Sequence, residues 1–274
     1  MFFGWRNASE DPLLEDTSNK EEDKNEIDTV EYAPPISWVA DIQVLYAMWF
    51  AKITGDTHQE RLESFYKKQA RFYDSYRDRM LHGRRPMMQK MPAFIGDVWV
   101  DFGGGTGSNL EFFGENVADF KKVFLVDLAP SLLEIAQKRI HTNDWTNVQI
   151  ITGDVTDPNL PGLPKQGTVD VITISYALTM IPNWKDALEN ARRLLKPDGH
   201  IAVCDFTVDP KSQWSISQYL WKTVFSFDNV FLTKEHIEYL KRAFHCEYQQ
   251  LEYGTFPYVP SLFKCPYYVF IGRI

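Results

Sequence analysis

Cysteine is scarce. The 274 residues hold three, Cys204, Cys246 and Cys265, widely spaced and without a C-x-x-C pair. That excludes a disulfide framework, offers no zinc-type ligand set or other metal site, and points to a reducing, cytosol-facing compartment. Basic charge is also in deficit: 29 Lys and Arg against 37 Asp and Glu leave a net charge of −8. A protein that holds DNA or large RNA by neutralising phosphates needs the opposite balance, so nucleic acid is not an expected partner. No apolar run approaches the ~20 residues that span a bilayer, and no cleavable secretory signal or internal repeat is present.

Aromatic residues, by contrast, are abundant, at 15% with eight Trp. The first 35 residues pass from an apolar tip, Met1-Phe-Phe-Gly-Trp5, into a charged run that includes Lys20-Glu-Glu-Asp-Lys-Asn-Glu26. Such low hydrophobicity cannot offset ordering entropy, and a disordered acidic tail over 1–35 is expected. Residues 36–96 form a helical extension and lid. Ile36 to Ile53 is an apolar helix carrying Trp38, Tyr46, Trp49 and Phe50, suited either to a membrane interface or to packing on the domain. Thr57 and Glu60 match a capping box, and Leu62, Phe65, Tyr66, Phe72, Tyr73 and Tyr76 make one helical stripe. Gly83 and Pro86 end it beside Arg84 and Arg85.

From residue 97 to 274 the pattern is a regular alternation of strands and helices. Val98 to Phe102 is a buried strand that runs into glycines 103, 104, 105 and 107, with a short helix expected over 109–116. Further strands are expected at 122–126, 148–152, 169–174 and 200–205, and helices from Pro130 to His141 and Asn183 to Leu195. An aromatic helical insertion covers 214–232, an amphipathic helix covers 233–244, and strands at 248–253 and 267–271 close the sheet. The expected class is α/β, a Rossmann-like seven-stranded sheet that is mostly parallel with an antiparallel last strand.

Three carboxylates fall at successive strand ends: Asp101, Asp127 and Asp154. Open α/β sheets bind ligands there. Asp101-Phe-Gly103-Gly-Gly105-Thr-Gly107 is acid-x-G-x-G-x-G and resembles the first motif of class I methyltransferases that use S-adenosylmethionine. Counting G-x-G-x-x-G from Gly103 puts Ser108 where a nicotinamide fold wants glycine, which argues against a dehydrogenase. The resemblance implies that Gly103, Gly105 and Gly107 approach the cofactor and that Asp101 orients the turn and meets the methionine amino group, directly or through water. It further implies that Asp127 holds the ribose, that Asp154 accepts from the adenine amine, and that Leu128 and Val155 sandwich the ring. Tyr73 and Ser175 complete the cofactor set.

The run Thr57-His-Gln-Glu-Arg-Leu-Glu-Ser-Phe-Tyr66, with Phe72-Tyr-Asp-Ser-Tyr-Arg77 and Arg79-Met-Leu-His-Gly-Arg84, is similar to the entrance of the methyltransferase domain of betaine lipid synthase. That family implies three successive N-methylations of the amine of diacylglyceryl-homoserine, a lipid with an amino headgroup, by an enzyme peripheral at a cytosolic membrane surface such as the endoplasmic reticulum. The aminocarboxypropyl transferase that it accompanies would then lie on a separate or removed segment. Tyrosine faces attract a cation of rising methylation, which makes Tyr66, Tyr73 and Tyr176 candidates for the transfer site. Tyr76, Arg84, Arg85, Trp214 and Trp221 are candidates for substrate contact, the arginines through the homoserine carboxylate. Alternatives at this stage are methylation of an isoprenoid quinone or phosphatidylethanolamine, or a non-catalytic domain that binds S-adenosylmethionine.

Overall fold

The computed structural model describes residues 25–30, 54–67, 73–209, 219, 221–223, 225 and 230–274. The expected helix at 36–53 and most of the aromatic insertion, Trp214 included, lie outside them. Seven strands form one sheet in the order β3-β2-β1-β4-β5-β7-β6. They are β1 (Val98–Phe102), β2 (Lys122–Asp127), β3 (Val148–Thr152), β4 (Val169–Ser175), β5 (Leu195–Phe206), β6 (His245–Gly254) and β7 (Cys265–Arg273). The first five pair in parallel, while β7 runs antiparallel to both β5 and β6. The chain starts in the middle of the sheet and winds outward on each side. The order therefore reverses between β1 and β4, and a crevice opens above their C-terminal ends.

Alternation along the strands divides the core into two layers. Trp99, Leu125, Val171 and Ala202 pack on one face; Val100, Val126, Ile172 and Val203 pack on the other. On the first face Trp99 is fully buried, its indole N–H donates to Thr173 Oγ1 at 2.8 Å, and Phe113 and Phe120 enclose its ring. Helices α1 (His58–Tyr66), α2 (Tyr73–Met80) and α3 (Arg84–Lys90) precede the sheet, and α4 (Pro130–Thr142), α5 (Trp184–Leu194) and α6 (Glu235–Ala243) cover it. The capping box of α1 forms: the Thr57 side chain accepts from Glu60 N–H, and the Glu60 carboxylate accepts from Thr57 N–H. Pro130 stands in the first turn of α4, whose Leu132, Leu133, Ala136 and Ile140 are buried at helical spacing. Among the described residues no helix is long and apolar enough to cross a membrane.

Several boundaries differ from expectation. The short helix expected over 109–116 is two 3-10 segments, Ser108–Phe112 and Gly114–Asp119. Gly114 at φ 55° breaks the run, and i→i+3 bonds such as Phe113 N–H to Leu110 C=O bury Leu110, Phe112 and Phe113 together. β5 begins at Leu195 rather than at His200, because a register shift between Val169 and Val171 lets the Lys196-Pro-Asp-Gly199 corner join the ladder. The end of the acidic tail packs against the domain: Glu26 bridges to Phe94, Ile27 is 5% exposed, and Val30 N–H bonds Phe112 C=O. Ile27 and Val30 are the apolar exceptions in a polar stretch, and both find a wall to cover.

Because Phe113 is fully buried edge-on to both Trp99 and Phe120, Phe113→Ala leaves a cavity that rings cannot collapse into. An equilibrium urea melt should show a loss of about 3–5 kcal/mol.

Candidate active site

The turn after β1 is shaped by backbone that only glycine enters easily. Gly103 has φ 69° and Gly105 φ 54°. A Cβ on Gly103 would come within 2.5 Å of the Ala177 Cβ, so the turn and the end of β4 approach as closely as bare backbone permits. Gly103 N–H donates to Val126 C=O at 2.8 Å, tying the turn to β2. Asp127 at the end of β2 completes that tie: Oδ2 accepts from Gly105 N–H and Oδ1 from Ala129 N–H, each at 2.8 Å. Burial pushes the Asp127 carboxyl above its ordinary value, against the pull of those backbone donors.

These elements wall a cavity of about 220 Å³. Gly103, Gly105, Asp127, Leu128, Asp154, Val155 and Ser175, all candidates for the cofactor from the sequence, line one half. Asp154 Oδ1 accepts from Thr156 N–H at 2.9 Å, and Asn190 fixes the Val155 carbonyl at 2.8 Å. The donor set suits S-adenosylmethionine. A carboxylate has about four lone-pair sites, so Asp127 retains acceptor capacity for a ribose hydroxyl after serving its backbone donors. Leu128 and Val155 supply apolar faces for adenine, and Asp154 an acceptor for its amine. Once bound, the cofactor supplies an electrophilic methyl group on sulfur.

Two members of the expected cofactor set stand elsewhere. Gly107, at φ 71°, caps the following 3-10 segment and does not line the cavity. Asp101 is fully buried and lies behind the wall. Thr173 Oγ1 donates to it at 2.6 Å and Asn109 Nδ2 at 2.9 and 3.1 Å, so it orients the turn and is screened from a direct contact with the ligand. Burial drives its pKa up to about 6, opposed by the bonds from Thr173 and Asn109 and by the charge of Arg84.

The other half of the cavity is aromatic and aliphatic, with Tyr66, Leu81, Tyr176, Met180, Phe206, Phe225 and Val230 on its walls. Tyr176 holds φ 53°, strained for a bulky side chain. Its hydroxyl donates to the His82 carbonyl at 2.5 Å and its ring meets Phe206 edge-on at 4.5 Å. Desolvation raises the Tyr176 pKa well above its usual value, so it remains a neutral phenol and presents a π surface rather than a base. Tyr66 donates to Met180 Sδ at 3.0 Å. Tyr73 and Tyr76 lie on α2, but their side chains are outside the described residues.

Three expected substrate contacts are corrected. Arg84 is 5% exposed, its guanidinium is engaged by Asp78, Ser108 and Asn109, and it does not line the cavity where a substrate carboxylate would stand. Arg85 donates to Val30 C=O and lies over Phe112, away from this cavity. Trp221 stacks on Phe256 at 4.3 Å and its indole donates to Lys264 C=O, so it supports the wall from behind while Phe225 faces in. Sequence reasoning missed His58, Leu62, Phe65, Arg77 and Phe206, all of which line the cavity. Leu62 and Phe65 were visible as part of the helical stripe of α1. Nothing local marked Phe206, which reaches the site only because β5 ends there.

Comparison with known proteins agrees with this geometry. A family model described as a methyltransferase domain matches residues 100–201. The chain is 28% identical over 165 residues to the ubiquinone/menaquinone biosynthesis C-methyltransferase of Hydrogenovibrio crunogenus, covering 58% of this chain and 63% of that one. It is 29% identical over 170 residues to the demethylmenaquinone methyltransferase of Lactococcus lactis, covering 60% and 65%. The alignments thus span a little under two thirds of these relatives. Among solved structures, phosphoethanolamine N-methyltransferase 2 of Haemonchus contortus in complex with S-adenosyl-L-methionine superposes with a TM-score of 0.61 at 15% identity, covering 80% of this chain and 60% of that one. A methyltransferase-like protein of Bacillus halodurans gives 0.58 at 17% identity, covering 70% and 98%. The matched segment carries the glycine turn on a mostly parallel seven-stranded sheet of the class I methyltransferase fold. The cofactor is S-adenosylmethionine, and residues 100–201 match a methyltransferase domain.

Two expectations follow. Asp127→Asn keeps one acceptor oxygen for the backbone but removes the charge and half the acceptors facing the cavity, so calorimetric affinity for S-adenosylhomocysteine should fall about tenfold or more, equivalent to about 1.4 kcal/mol, with a smaller loss in a melt. Asp205, fully buried and bonded by Thr179 and Phe206 N–H, has its pKa raised by burial to about 7. Its folded value exceeds the unfolded one, so the stability that its proton confers is complete below about pH 4 and is lost as pH rises through about 7. Melts across that window should show wild type losing on the order of 2–4 kcal/mol more than Asp205→Asn.

Proposed function

We propose that this enzyme methylates the polar head of a long-chain lipid, held with its head toward the cofactor half and its tail beneath the aromatic wall. The observation that carries the reading is the wall itself: Tyr66, Leu81, Tyr176, Phe206, Phe225 and Val230 surround the space beside Ser175, where a methyl acceptor has to stand. Such a surface gains from covering an apolar chain, and its tyrosine and phenylalanine faces attract a developing ammonium.

Two heads fit this space. We argue for an amine, as in diacylglyceryl-homoserine. In-line displacement at the sulfonium methyl needs a neutral amine about 3 Å away and aligned with sulfur, and water can take the amine proton beforehand. A quinol carbon instead has to lose a proton to a base within reach. Among the described lining residues, His58, Asp127 and Asp154 are the only histidine and carboxylates, and all three sit on the cofactor side, with His58 close enough to Asp154 to feel its charge. The similarity of residues 57–84 to betaine lipid synthase supports the amine as well. The quinol has its own support, and stronger support from the comparisons, because the two relatives named above are a ubiquinone/menaquinone biosynthesis C-methyltransferase and a demethylmenaquinone methyltransferase. On the amine reading an aminocarboxypropyl transferase supplies the substrate and the enzyme works peripherally at a membrane surface facing the cytosol.

Labelled S-adenosylmethionine, offered with vesicles that contain diacylglyceryl-homoserine, a demethylmenaquinol or phosphatidylethanolamine, tests the choice. Label should enter the homoserine lipid in up to three steps. Label in the quinol alone would establish the second head, and cofactor binding without transfer to any lipid would overturn the reading.

A further inference from the structure

A buried chain of polar side chains crosses from the lid to the sheet behind the glycine turn. Asp78 on α2 accepts from Arg84 Nη1 at 2.6 Å. Arg84 Nε and Nη2 donate to Asn109 Oδ1 at 3.1 and 2.8 Å, and Nη2 also donates to Ser108 Oγ at 2.5 Å. Asn109 Nδ2 donates onward to both oxygens of Asp101 and, at 3.0 Å, to Ser175 Oγ, which lines the cavity. Arg84, Asn109 and Asp101 are at most 5% exposed. A second strap runs alongside it: Asp74, one turn before Asp78 on α2, accepts from Thr106 Oγ1 at 2.6 Å and from Arg139 Nη2 at 2.7 Å. Both residues flanking Gly107, Thr106 and Ser108, are thereby held from the lid.

We propose that Arg84 and Asn109 are positioning residues for the cofactor: they fix the glycine turn and the Asp101 carboxylate behind it in the single arrangement that receives a ligand with two cationic centres and one carboxylate. The proposal rests on S-adenosylmethionine binding at the turn. That molecule carries an ammonium and a sulfonium, so a buried anion one layer behind the wall favours it through a medium of low dielectric. A buried anion persists only when it is paired and bonded. Four groups face Asp101: Thr173 from β4, Asn109 from the turn, the Arg84 charge from α3 and the opposing charge of Asp127 from β2. Of these, Arg84 is the cation, and Asn109 is the amide through which it is joined. Asn109 also has a geometric duty, because its one NH₂ group reaches both the anion and the lining Ser175.

The test is the pH profile of S-adenosylmethionine and S-adenosylhomocysteine binding to the full chain, by calorimetry between pH 5 and pH 8. Arg84→Met should bind both ligands more weakly at the acid end and regain affinity toward pH 8, moving the midpoint upward, with S-adenosylmethionine losing more because of its extra charge. Arg84→Lys should return the midpoint most of the way. A folded Arg84→Met whose profile overlays that of wild type, or one weakened by the same factor at every pH, overturns the proposal. If Arg84→Met does not fold, Asn109→Ser carries the same test, read both in the binding profile and in the titration of the Asp101 carboxyl ¹³C shift. Wild type that binds neither ligand would refute the cofactor assignment itself, a different result from a variant that merely fails to shift.

Discussion

A carboxylate with no access to water has to be satisfied by its neighbours, and Asp101 imposes that condition on the centre of this protein. Its oxygens take Thr173 from the adjacent strand and the Asn109 amide from beyond the turn. The path from Asp101 to Asn109 therefore has to fold back on itself within eight residues, and the glycines are what make the reversal possible. β1 pairs with β4 in a register that sets Asp101 directly beside Thr173. Trp99, two residues earlier on the same face of β1, uses the Thr173 hydroxyl as its own acceptor. A single threonine thus joins the apolar layer below the sheet to the charged knot at its edge.

The sequence reveals the cofactor half well because its signals are local. A buried strand running into acid-x-G-x-G-x-G specifies the turn whatever surrounds it, and strand ends at Asp127 and Asp154 follow from the alternation of periods. Seven of the residues named for the cofactor line one cavity wall. The alternation also predicts the sheet, although not the 3-10 character of 108–119, which depends on where Gly114 admits a left-handed residue and on which phenylalanines find room beneath Trp99. Asp101 was legible as a strand-end carboxylate, but its burial was not. Burial is a property of what folds over a residue, and here the cover comes from Asn109 and Arg84.

The acceptor half was legible only as an excess of rings. Composition and helical stripes announce aromatic surface, yet they do not say which rings face inward. Trp221 and Phe225 are four residues apart on one segment, and they divide the work: the indole finds a carbonyl partner at Lys264 and turns away, whereas the phenyl ring has no polar atom to satisfy and lines the cavity. The same logic inverts the arginines. Arg84 looks like a solvent-facing cation ready for a carboxylate, but the lid presents Asp78 to it first. A charged side chain beside a predicted break tells the reader that a charge is near the site, and the geometry alone tells whether that charge belongs to the ligand or to the scaffold.

That division bears on how far similarity reaches. The segment matched by the methyltransferase model, 100–201, contains Gly103, Gly105, Asp127, Asp154, Ser175, Tyr176 and Met180. The remaining walls of the acceptor half come from outside it: Tyr66 and Leu81 before, Phe206, Phe225 and Val230 after. Similarity over 100–201 therefore speaks to how the methyl group is held and says little about what receives it. Two enzymes can keep the same turn while their flanking segments diverge, because the turn answers to a constant ligand and the flanks answer to a variable one. Tyr176 marks the seam. It lies within the matched segment, but its strained backbone is held by a hydroxyl bond to His82 and by contact with Phe206, both outside it. Its position thus depends on the lid and on the end of β5 together, so a change of acceptor can be accommodated by moving either neighbour without disturbing the glycine turn.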